Sequence, residues 1–228
     1  MRKLGILAMS VVLAAASTAN ATVVIDPVGD TLATYTGPGN GDLDIVSATA
    51  TFDGTSFLVS STLNGPVGTT IGSLFVWGIN RGSGTPRLTF GSPSIGAGVL
   101  FDAVVVLFPD GTLRVATLPA MGPPTITNFA GGATINGNTI SGSAPLSLLF
   151  STGFNAGQYT FSHWSRARVN PLVDGTNAEI ADFAPNQGSV TATAVPEPST
   201  WLAMLIGFGM LGGAVRLGRG KRALRPLA

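Results

Sequence analysis

Four aspartates near the start of the chain could together bind a cation. Asp26, Asp30, Asp42 and Asp44 lie close to Asn40 in a segment rich in glycine. Ca²⁺ is bound by several carboxylate and carbonyl oxygens, and glycine-rich loops supply such carbonyls. The pattern differs from an EF-hand, because no loop of that type with a terminal glutamate is present. Either the aspartates bind Ca²⁺, or each stabilises the turn of its own loop and the protein needs no cofactor.

Histidine chemistry would depend on His163, which is the single histidine of the chain. It lies between Ser162 and Trp164 in a predicted strand, and the sequence contains no G-x-S-x-G nucleophile motif. The absence of cysteine excludes disulfides, thiol nucleophiles and metal sites built from cysteine. Glu179 and Asp182 are interpreted as the flanks of a short helical turn. We therefore expect a protein without enzymatic activity, and a secreted hydrolase is the less favoured alternative.

Two tryptophans could take part in ligand binding. The face of Trp77 or Trp164 could stack on the apolar face of a sugar, as in a glycan-binding site. The alternative is a buried position for each ring, with its indole N–H bonded within the core. Aromatic residues make up only 7% of the chain, which does not favour an aromatic sugar platform. A glycan-binding module is thus kept as an alternative function.

Nucleic acid is not expected as a partner of this chain. Residues 22–196 contain five arginines, no lysine and ten acidic residues, which gives this part a net charge of −5. A protein that binds nucleic acid needs clustered basic side chains to neutralise phosphates. The remaining basic residues are concentrated at the two ends of the chain, so that the formal net charge of the whole is +1.

The elements that would position these residues are predicted to be short β-strands. Glycine and proline are frequent, with 31 and 15 residues, and charged residues make up only 10% of the chain. Hairpin turns are indicated at Asp53-Gly54, Pro109-Asp110-Gly111 and Asn136-Gly137, because these residues tolerate the backbone angles of tight turns. The segments on either side of the turns alternate between apolar and polar residues, which is the period of a half-buried strand.

Two further segments are predicted to be central strands. Leu74–Ile79 and Val99–Phe108 are almost continuously apolar, as expected for strands that are covered on both faces. Together with the alternating segments they give nine or ten short strands and no amphipathic helix of useful length. The sequence therefore predicts an all-β fold, an antiparallel β-sandwich with a jelly-roll-like order over residues 22–185.

The first residues have the three parts of a secretory signal peptide. A basic start, Met1-Arg2-Lys3, is followed by an apolar stretch from Leu4 to Ala16 and by small residues at Ala19 and Ala21. Small residues in this spacing fit the signal peptidase, so we expect cleavage after Ala21 and removal of residues 1–21. The alternative is an uncleaved anchor, which the shortness of the apolar stretch disfavours.

The last residues combine a proline motif, an apolar stretch and a basic tail. Pro196-Glu197-Pro198 precedes Trp201, and Ser199–Val215 contains no charged residue. A helix over these residues would be about 25 Å long, at the short end of the range for a membrane span. Five basic residues follow, namely Arg216, Arg219, Lys221, Arg222 and Arg225. Because positive charge resists translocation, the tail should stay in the cytoplasm and the body should lie outside.

These residues resemble the PEP-CTERM sorting signal of Gram-negative bacteria over about 195–222. The resemblance is carried by Pro196, Glu197, Pro198, Trp201, Gly207, Phe208, Gly209 and Arg216. It implies that a membrane-embedded exosortase recognises the proline motif and removes the tail. The expected divisions of the chain are thus a signal peptide (1–21), a sandwich (22–185), a linker with the motif (186–198), and a transmembrane helix with its tail (199–228). A plain membrane anchor that is never processed is the alternative.

The start of the body is similar, over about forty residues, to secreted bacterial sandwich domains of the DOMON or carbohydrate-binding type. The similarity rests on Asp26–Asp30, Gly41–Val46 and the turn at Asp53-Gly54. We expect an exported protein that passes through the inner membrane to the cell surface or to an exopolysaccharide matrix, such as that of a biofilm. Its role there would be structural or adhesive, and a glycan- or Ca²⁺-binding module is the alternative.

Overall fold

The computed structural model describes residues 22–88, 95–168, 177–194 and 206–210, and fifteen strands lie in this part of the chain. The strands in chain order are β1 (Val23–Ile25), β2 (Ile45–Phe52), β3 (Ser56–Leu63), β4 (Ser73–Asn80), β5 (Thr85–Pro86), β6 (Leu100–Phe101), β7 (Ala103–Leu107), β8 (Leu113–Thr117), β9 (Thr125–Phe129), β10 (Ala133–Asn136), β11 (Thr139–Pro145), β12 (Thr160–Ala167), β13 (Ile180–Ala184), β14 (Val190–Thr191) and β15 (Thr193–Ala194).

The strands form two large antiparallel sheets and one small one. The first large sheet has the order β1-β2-β3-β11-β10, and β15 adds to β2 in parallel. The second has the order β13-β12-β4-β7-β8-β9, and β14 adds to β12. β5 and β6 pair with each other only. A buried core with side chains from both large sheets joins them face to face, which confirms the predicted all-β sandwich.

The three predicted hairpins are confirmed, and each keeps its two strands within one sheet. Asp53 closes the β2–β3 turn by accepting hydrogen bonds from the backbone N–H groups of Thr55 and Ser56, both at 2.8 Å. Gly137, with φ of 59°, occupies the β10–β11 turn. Hairpins of this kind leave few crossings between the sheets, although β12 returns beside β4 in a Greek-key arrangement. β11 likewise returns by a long connection to lie beside β3, so each large sheet contains one pairing of this kind, and the jelly-roll-like order stays a prediction.

Strand β4 is the centre of the fold. All eight of its residues are buried, because both faces of the second sheet are covered. Phe75, Trp77 and Ile79 pack toward the first sheet, whereas Leu74 and Val76 belong to a second apolar cluster on the outer face. This confirms the prediction of a central strand at Leu74–Ile79.

The second predicted central strand, Val99–Phe108, is interrupted in the structure. Asp102 separates β6 from β7, and its carboxylate forms a buried ion pair with Arg81 (Nε–Oδ1, 2.9 Å). Phe101 of β6 then packs with Trp164 in the outer cluster, at 5.3 Å between ring centroids. Before Asp102, Val99 and Phe101 belong to the outer cluster. After it, β7 alternates between the core, with Val105, and the outer cluster, with Val106.

The end of the sandwich differs from the prediction. Residues 186–198 were expected to be a linker, but β14 and β15 lie in this segment and pair with β12 and β2. The backbone N–H of Thr22 also donates to the hydroxyl of Thr193 at 2.8 Å. Hydrogen bonding to the sheets therefore continues as far as Ala194, because backbone groups beside an open sheet edge are satisfied by pairing with it.

The predicted segments at the two ends of the chain lie almost wholly beyond the described residues. The signal peptide expected at 1–21 is outside them, and of the transmembrane segment expected at 199–228 only residues 206–210 are described, as a short helix. Within the described part of the chain, none of the helices has the length and apolar character required to cross a membrane.

Candidate functional site

Three carboxylates from two distant parts of the chain come together at one side of the sandwich. Asp26, Asp30 and Asp182 each place a carboxylate oxygen so that the three atoms lie within 4.8 Å of one another. Asp26 and Asp182 are 5% and 1% exposed, and Asp30 is partly buried. This group, called the acidic cluster below, is the one set of metal-ligand side chains of this kind among the described residues.

The backbone around the acidic cluster holds the two large sheets together. Asp26 directly follows β1, and its N–H donates to the carbonyl of Val46 at 3.0 Å. Asp182 lies in β13, the edge strand of the other sheet. Further along, the N–H of Leu32 donates to the carbonyl of Ala181 at 2.7 Å. The segment after β1 therefore runs along β13 and brings the three carboxylates into proximity.

The hydrogen bonds of the acidic cluster leave two buried oxygens without a partner. Asp182 accepts from the backbone N–H of Ile45 (2.7 Å) and of Phe183 (2.8 Å), one bond at each oxygen. Asp30 accepts from the side-chain amide of Asn186 at 3.0 Å through Oδ2. In contrast, Oδ2 of Asp26 and Oδ1 of Asp30 are buried and accept no hydrogen bond from the described residues. Unsatisfied buried acceptors are uncommon in folded proteins and call for a physical explanation.

Burial and mutual repulsion raise the pKa of two members of the cluster. For Asp26 the pKa rises from 3.8 to about 7, mainly because of desolvation and then because of the nearby charge of Asp30; Asp44 adds a smaller repulsion and a hydrogen bond with Asp182 opposes the rise. For Asp182 the pKa rises to about 8, again chiefly through desolvation, and hydrogen bonds from Ile45 and Phe183 partly offset this. Ionisation of these two carboxyl groups is therefore less favourable in the folded protein than in water.

The other two predicted cation ligands, Asp42 and Asp44, are hydrogen-bonded to other segments of the chain. Asp42 accepts from the backbone N–H and the hydroxyl of Thr70 at 2.8 and 2.5 Å. Asp44 accepts from the backbone N–H of Gly29 and, at 2.9 Å, from the side-chain amide of Asn64. The predicted group of four is thus divided, since only Asp26 and Asp30 lie in the acidic cluster.

The third member of the cluster, Asp182, lies in a strand and not at the end of the short helical turn predicted from the sequence. The short helical turn ends at Glu179, and Asp182 lies in β13, where all five residues are buried. An acidic residue within the apolar sequence I-A-D-F-A is a signal that could have marked it, because buried carboxylates need a partner. Asp182 comes close to Asp26 only because the two sheets pack together, and this packing cannot be read from the sequence.

Neither tryptophan offers a face to a sugar. Trp77 is completely buried and Trp164 is 3% exposed, so both rings belong to the core. Trp77 stacks on His163 with 4.0 Å between ring centroids. Trp164 lies over Gly78, where an added Cβ would come within 2.7 Å of the indole ring. The proposed stacking role of the two residues is therefore wrong. Core positions are confirmed for both rings, but the expected hydrogen bond of the indole N–H is not found for Trp77 among the described residues.

His163 is a structural residue in the interior. It is fully buried, its Nδ1 lies 3.0 Å from the carbonyl of Val76, and its Nε2 lies 3.0 Å from the hydroxyl of Ser61. Because a carbonyl only accepts, Nδ1 carries the proton and Nε2 accepts from Ser61. Desolvation lowers the pKa of His163 to about 3, against an opposing effect of the hydrogen bond to Val76. The imidazole is therefore neutral and inaccessible to a substrate.

We expect His163 to make the protein sensitive to acid. Its pKa is about 3 when folded and 6.5 when exposed, so below pH 6.5 the unfolded chain takes up a proton that the folded chain does not. Stability is thus lost as the pH falls, by about 1.4 kcal/mol per pH unit for this one group. Urea unfolding between pH 7 and pH 4 would measure it, with His163→Gln as the reference.

The comparison with His163→Gln isolates the histidine, because all carboxylates titrate in both proteins. The free energy of unfolding of the wild type should fall more steeply with acid than that of the variant. Parallel pH profiles for the two proteins would contradict the assignment of a neutral, buried His163.

Comparison with known proteins concerns the other end of the chain. Residues 194–221 match the family model of the PEP-CTERM protein-sorting motif. The chain carries a PEP-CTERM sorting motif. No curated protein matches the chain. The PEP-CTERM motif implies an exported protein that is processed by exosortase, as the resemblance had indicated.

The predicted sorting residues all fall within the matched range. They are Pro196, Glu197, Pro198, Trp201, Gly207, Phe208, Gly209 and Arg216, and the predicted range of 195–222 differs from the match by one residue at each end. Of these residues the structure describes only Gly207, Phe208 and Gly209, which lie exposed in the short helix. The PEP-CTERM motif therefore begins at Ala194, the last residue of β15.

Proposed function

We propose that the chain is a non-enzymatic, structural or adhesive protein of the cell surface or exopolysaccharide matrix of a Gram-negative bacterium. The PEP-CTERM motif at residues 194–221 is the observation that carries this proposal. Signal peptidase would remove residues 1–21, the apolar segment after Pro198 would hold the chain transiently in the inner membrane, and exosortase would then remove the tail. Signal peptidase and exosortase would thus catalyse the cleavage reactions, and the body would be the part of the chain that is exported.

Features of the sandwich support a role without catalysis. The one histidine is fully buried, and its neighbours on both ring nitrogens are structural hydrogen-bond partners. The two tryptophans considered for glycan stacking are core residues. The body is acidic, with a net charge of −5 over residues 22–196. It should therefore attract a basic protein or a cation, and it should repel an acidic polymer unless cations are bound between the two.

Processing at the motif can be tested by the mass of the exported protein. In a producing cell with exosortase, the intact mass of the surface or released protein should lack residues 216–228. Replacing Pro196, Glu197 and Pro198 together with alanine should leave most of the chain unprocessed, because the extended, helix-breaking motif is removed. Mass spectrometry of intact protein from membrane, surface and medium would measure the two products.

A matched control is available in the body. Pro123 and Pro124 are exposed in the loop before β9, and their replacement by alanine likewise removes two prolines. This variant should be processed like the wild type. Recovery of wild-type protein with its basic tail intact, in cells that contain exosortase, would overturn the proposed sorting.

A further inference from the structure

The distances within the acidic cluster suit one bound cation. Two oxygens that bind the same Ca²⁺ at about 2.4 Å can be at most about 4.8 Å apart. The carboxylate oxygens of Asp26, Asp30 and Asp182 lie within 4.8 Å of one another. Three side chains that approach so closely without a cation bring like charges together in a poorly solvated place, which is unfavourable.

Two unpartnered oxygens point to a missing ligand. Oδ2 of Asp26 and Oδ1 of Asp30 are buried with no hydrogen bond from the part of the chain that the structure describes, and Asp26 as a whole is only 5% exposed. Each oxygen of Asp182 accepts one backbone N–H, and Asp182 also lies at hydrogen-bond distance from Asp26, a contact that needs a proton or a cation between the two carboxyl groups. The free acceptors are therefore on the side chains whose oxygens face one another.

The nearby charges increase the need for a cation. Asp44 is close enough to add repulsion to Asp26, and its own oxygens are occupied by Gly29 and Asn64. The charged neighbours that affect Asp26 and Asp182 are other carboxylates. A buried carboxylate group is stabilised by a cation, by hydrogen bonds or by protonation, and here the hydrogen bonds are incomplete.

We propose that Asp26, Asp30 and Asp182 bind one Ca²⁺ that fastens the two large sheets to each other. Asp26 and Asp30 come from the segment after β1 of the first sheet, and Asp182 comes from β13 of the second. Ca²⁺ is preferred over Mg²⁺ because it accepts irregular arrangements of oxygen ligands, whereas Mg²⁺ requires near-octahedral geometry and retains its water. The site is independent of the sorting motif and of its processing.

Binding of Ca²⁺ should stabilise the folded chain. The thermal midpoint of the full-length protein, purified in detergent, would be measured by circular dichroism in EDTA, in 5 mM MgCl₂ and in 5 mM CaCl₂. CaCl₂ should raise the midpoint by about 5 °C or more if the dissociation constant is well below the Ca²⁺ concentration. Isothermal titration with CaCl₂ should give one site per chain.

The variant Asp26→Asn separates a cation site from a simple structural role. Asparagine fits the same space without charge, so the midpoint in EDTA should equal or exceed that of the wild type, while the response to CaCl₂ is lost. Asp30→Asn, at the partly exposed edge of the cluster, provides a second variant if the first does not fold. Asp53→Asn is the matched control, because it removes the same charge from the β2–β3 turn and should keep the full response.

Each outcome decides the proposal. It is supported by a Ca²⁺-dependent rise that is absent in Asp26→Asn and present in Asp53→Asn. It is overturned if CaCl₂ leaves the wild-type midpoint unchanged and gives no binding heat, in which case a shared proton satisfies the cluster. An equal rise in Asp26→Asn would show unspecific binding to the acidic surface and would also overturn it. Processing of the tail is unaffected in all of these cases.

Discussion

Replacement of Arg81 by methionine should destabilise the sandwich by about 3–5 kcal/mol, because it leaves a buried carboxylate without its cation. The side chains of Arg81 and Asp102 are 7% and 5% exposed, and Nε of Arg81 donates to Oδ1 of Asp102 at 2.9 Å. Arg81 also donates to the carbonyl of Phe150 at 2.9 Å. Methionine fills a similar volume, so the loss would come from the charge and its hydrogen bonds. Urea unfolding at pH 7 would measure the difference.

The remaining partners of Asp102 explain why the carboxylate stays charged in the variant. Burial alone would raise the pKa of Asp102, but hydrogen bonds from Thr152 and Arg81 outweigh it and the pKa is lowered. In the variant the hydroxyl of Thr152 and the backbone N–H groups of Arg81 and Ser83 still donate to the carboxylate. These neutral donors do not replace the positive charge.

Two further variants test the origin of the effect. Arg87 also bonds backbone carbonyls, those of Phe101 and Leu118, but pairs with no carboxylate in the described part of the chain. Arg87→Met should therefore cost only about 1 kcal/mol. The double variant with Arg81→Met and Asp102→Asn should recover part of the stability, since the unpaired charge is gone. Equal losses in Arg81→Met and Arg87→Met would contradict the proposed role of the ion pair.

Replacement of Trp77 by alanine should cost about 3–5 kcal/mol, because a large cavity is opened between the two sheets. Trp77 is completely buried in β4 and stacks on His163. Its indole N–H has no hydrogen-bond partner within residues 22–88, 95–168 and 177–194, so the contribution of the residue comes from packing. Trp77→Phe should consequently cost less, about 1–2 kcal/mol, because most of the ring contact is kept and no hydrogen bond is lost. Thermal and urea unfolding would measure both.

An exposed aromatic residue provides the comparison. Phe150 is 70% exposed, and Phe150→Ala should change the free energy of unfolding by no more than about 0.5 kcal/mol. A loss of stability in Trp77→Ala as small as that in Phe150→Ala would contradict the role of Trp77 in packing the core.

The strands of the sandwich were largely predictable, because their signals are local. Alternating residues in β2 and β3 and the Asp53-Gly54 turn between them define a hairpin within a short stretch of sequence. The same holds for β7 with β8 and for β10 with β11. The short strands β14 and β15 were missed, because two-residue strands have no periodicity and form only by pairing with an existing edge.

The acidic cluster was predictable only in part. Asp26 and Asp30 were found because they lie near one another in sequence, but this criterion also included Asp42, whose carboxylate is occupied by Thr70. Asp182 lies more than a hundred residues away and reaches the cluster through the pairing of β13 with β12 and the packing of the sheets. Contacts of this kind depend on tertiary structure, which a single sequence does not reveal.

The contact between Thr22 and Thr193 places both ends of the described sandwich at the same edge of the first sheet. The first described residue and the last strand of the sandwich meet at one edge of the first sheet, beside β2. An attachment through the C-terminal side would thus be at this edge. From β15, strand β10 is four strand spacings away across the sheet, or about 19 Å. The far edge also includes β9 of the second sheet, and it carries the exposed Ile126 and Ile135. In any attachment through the C-terminal side, this far edge is thus the part of the first sheet most distant from the point of attachment.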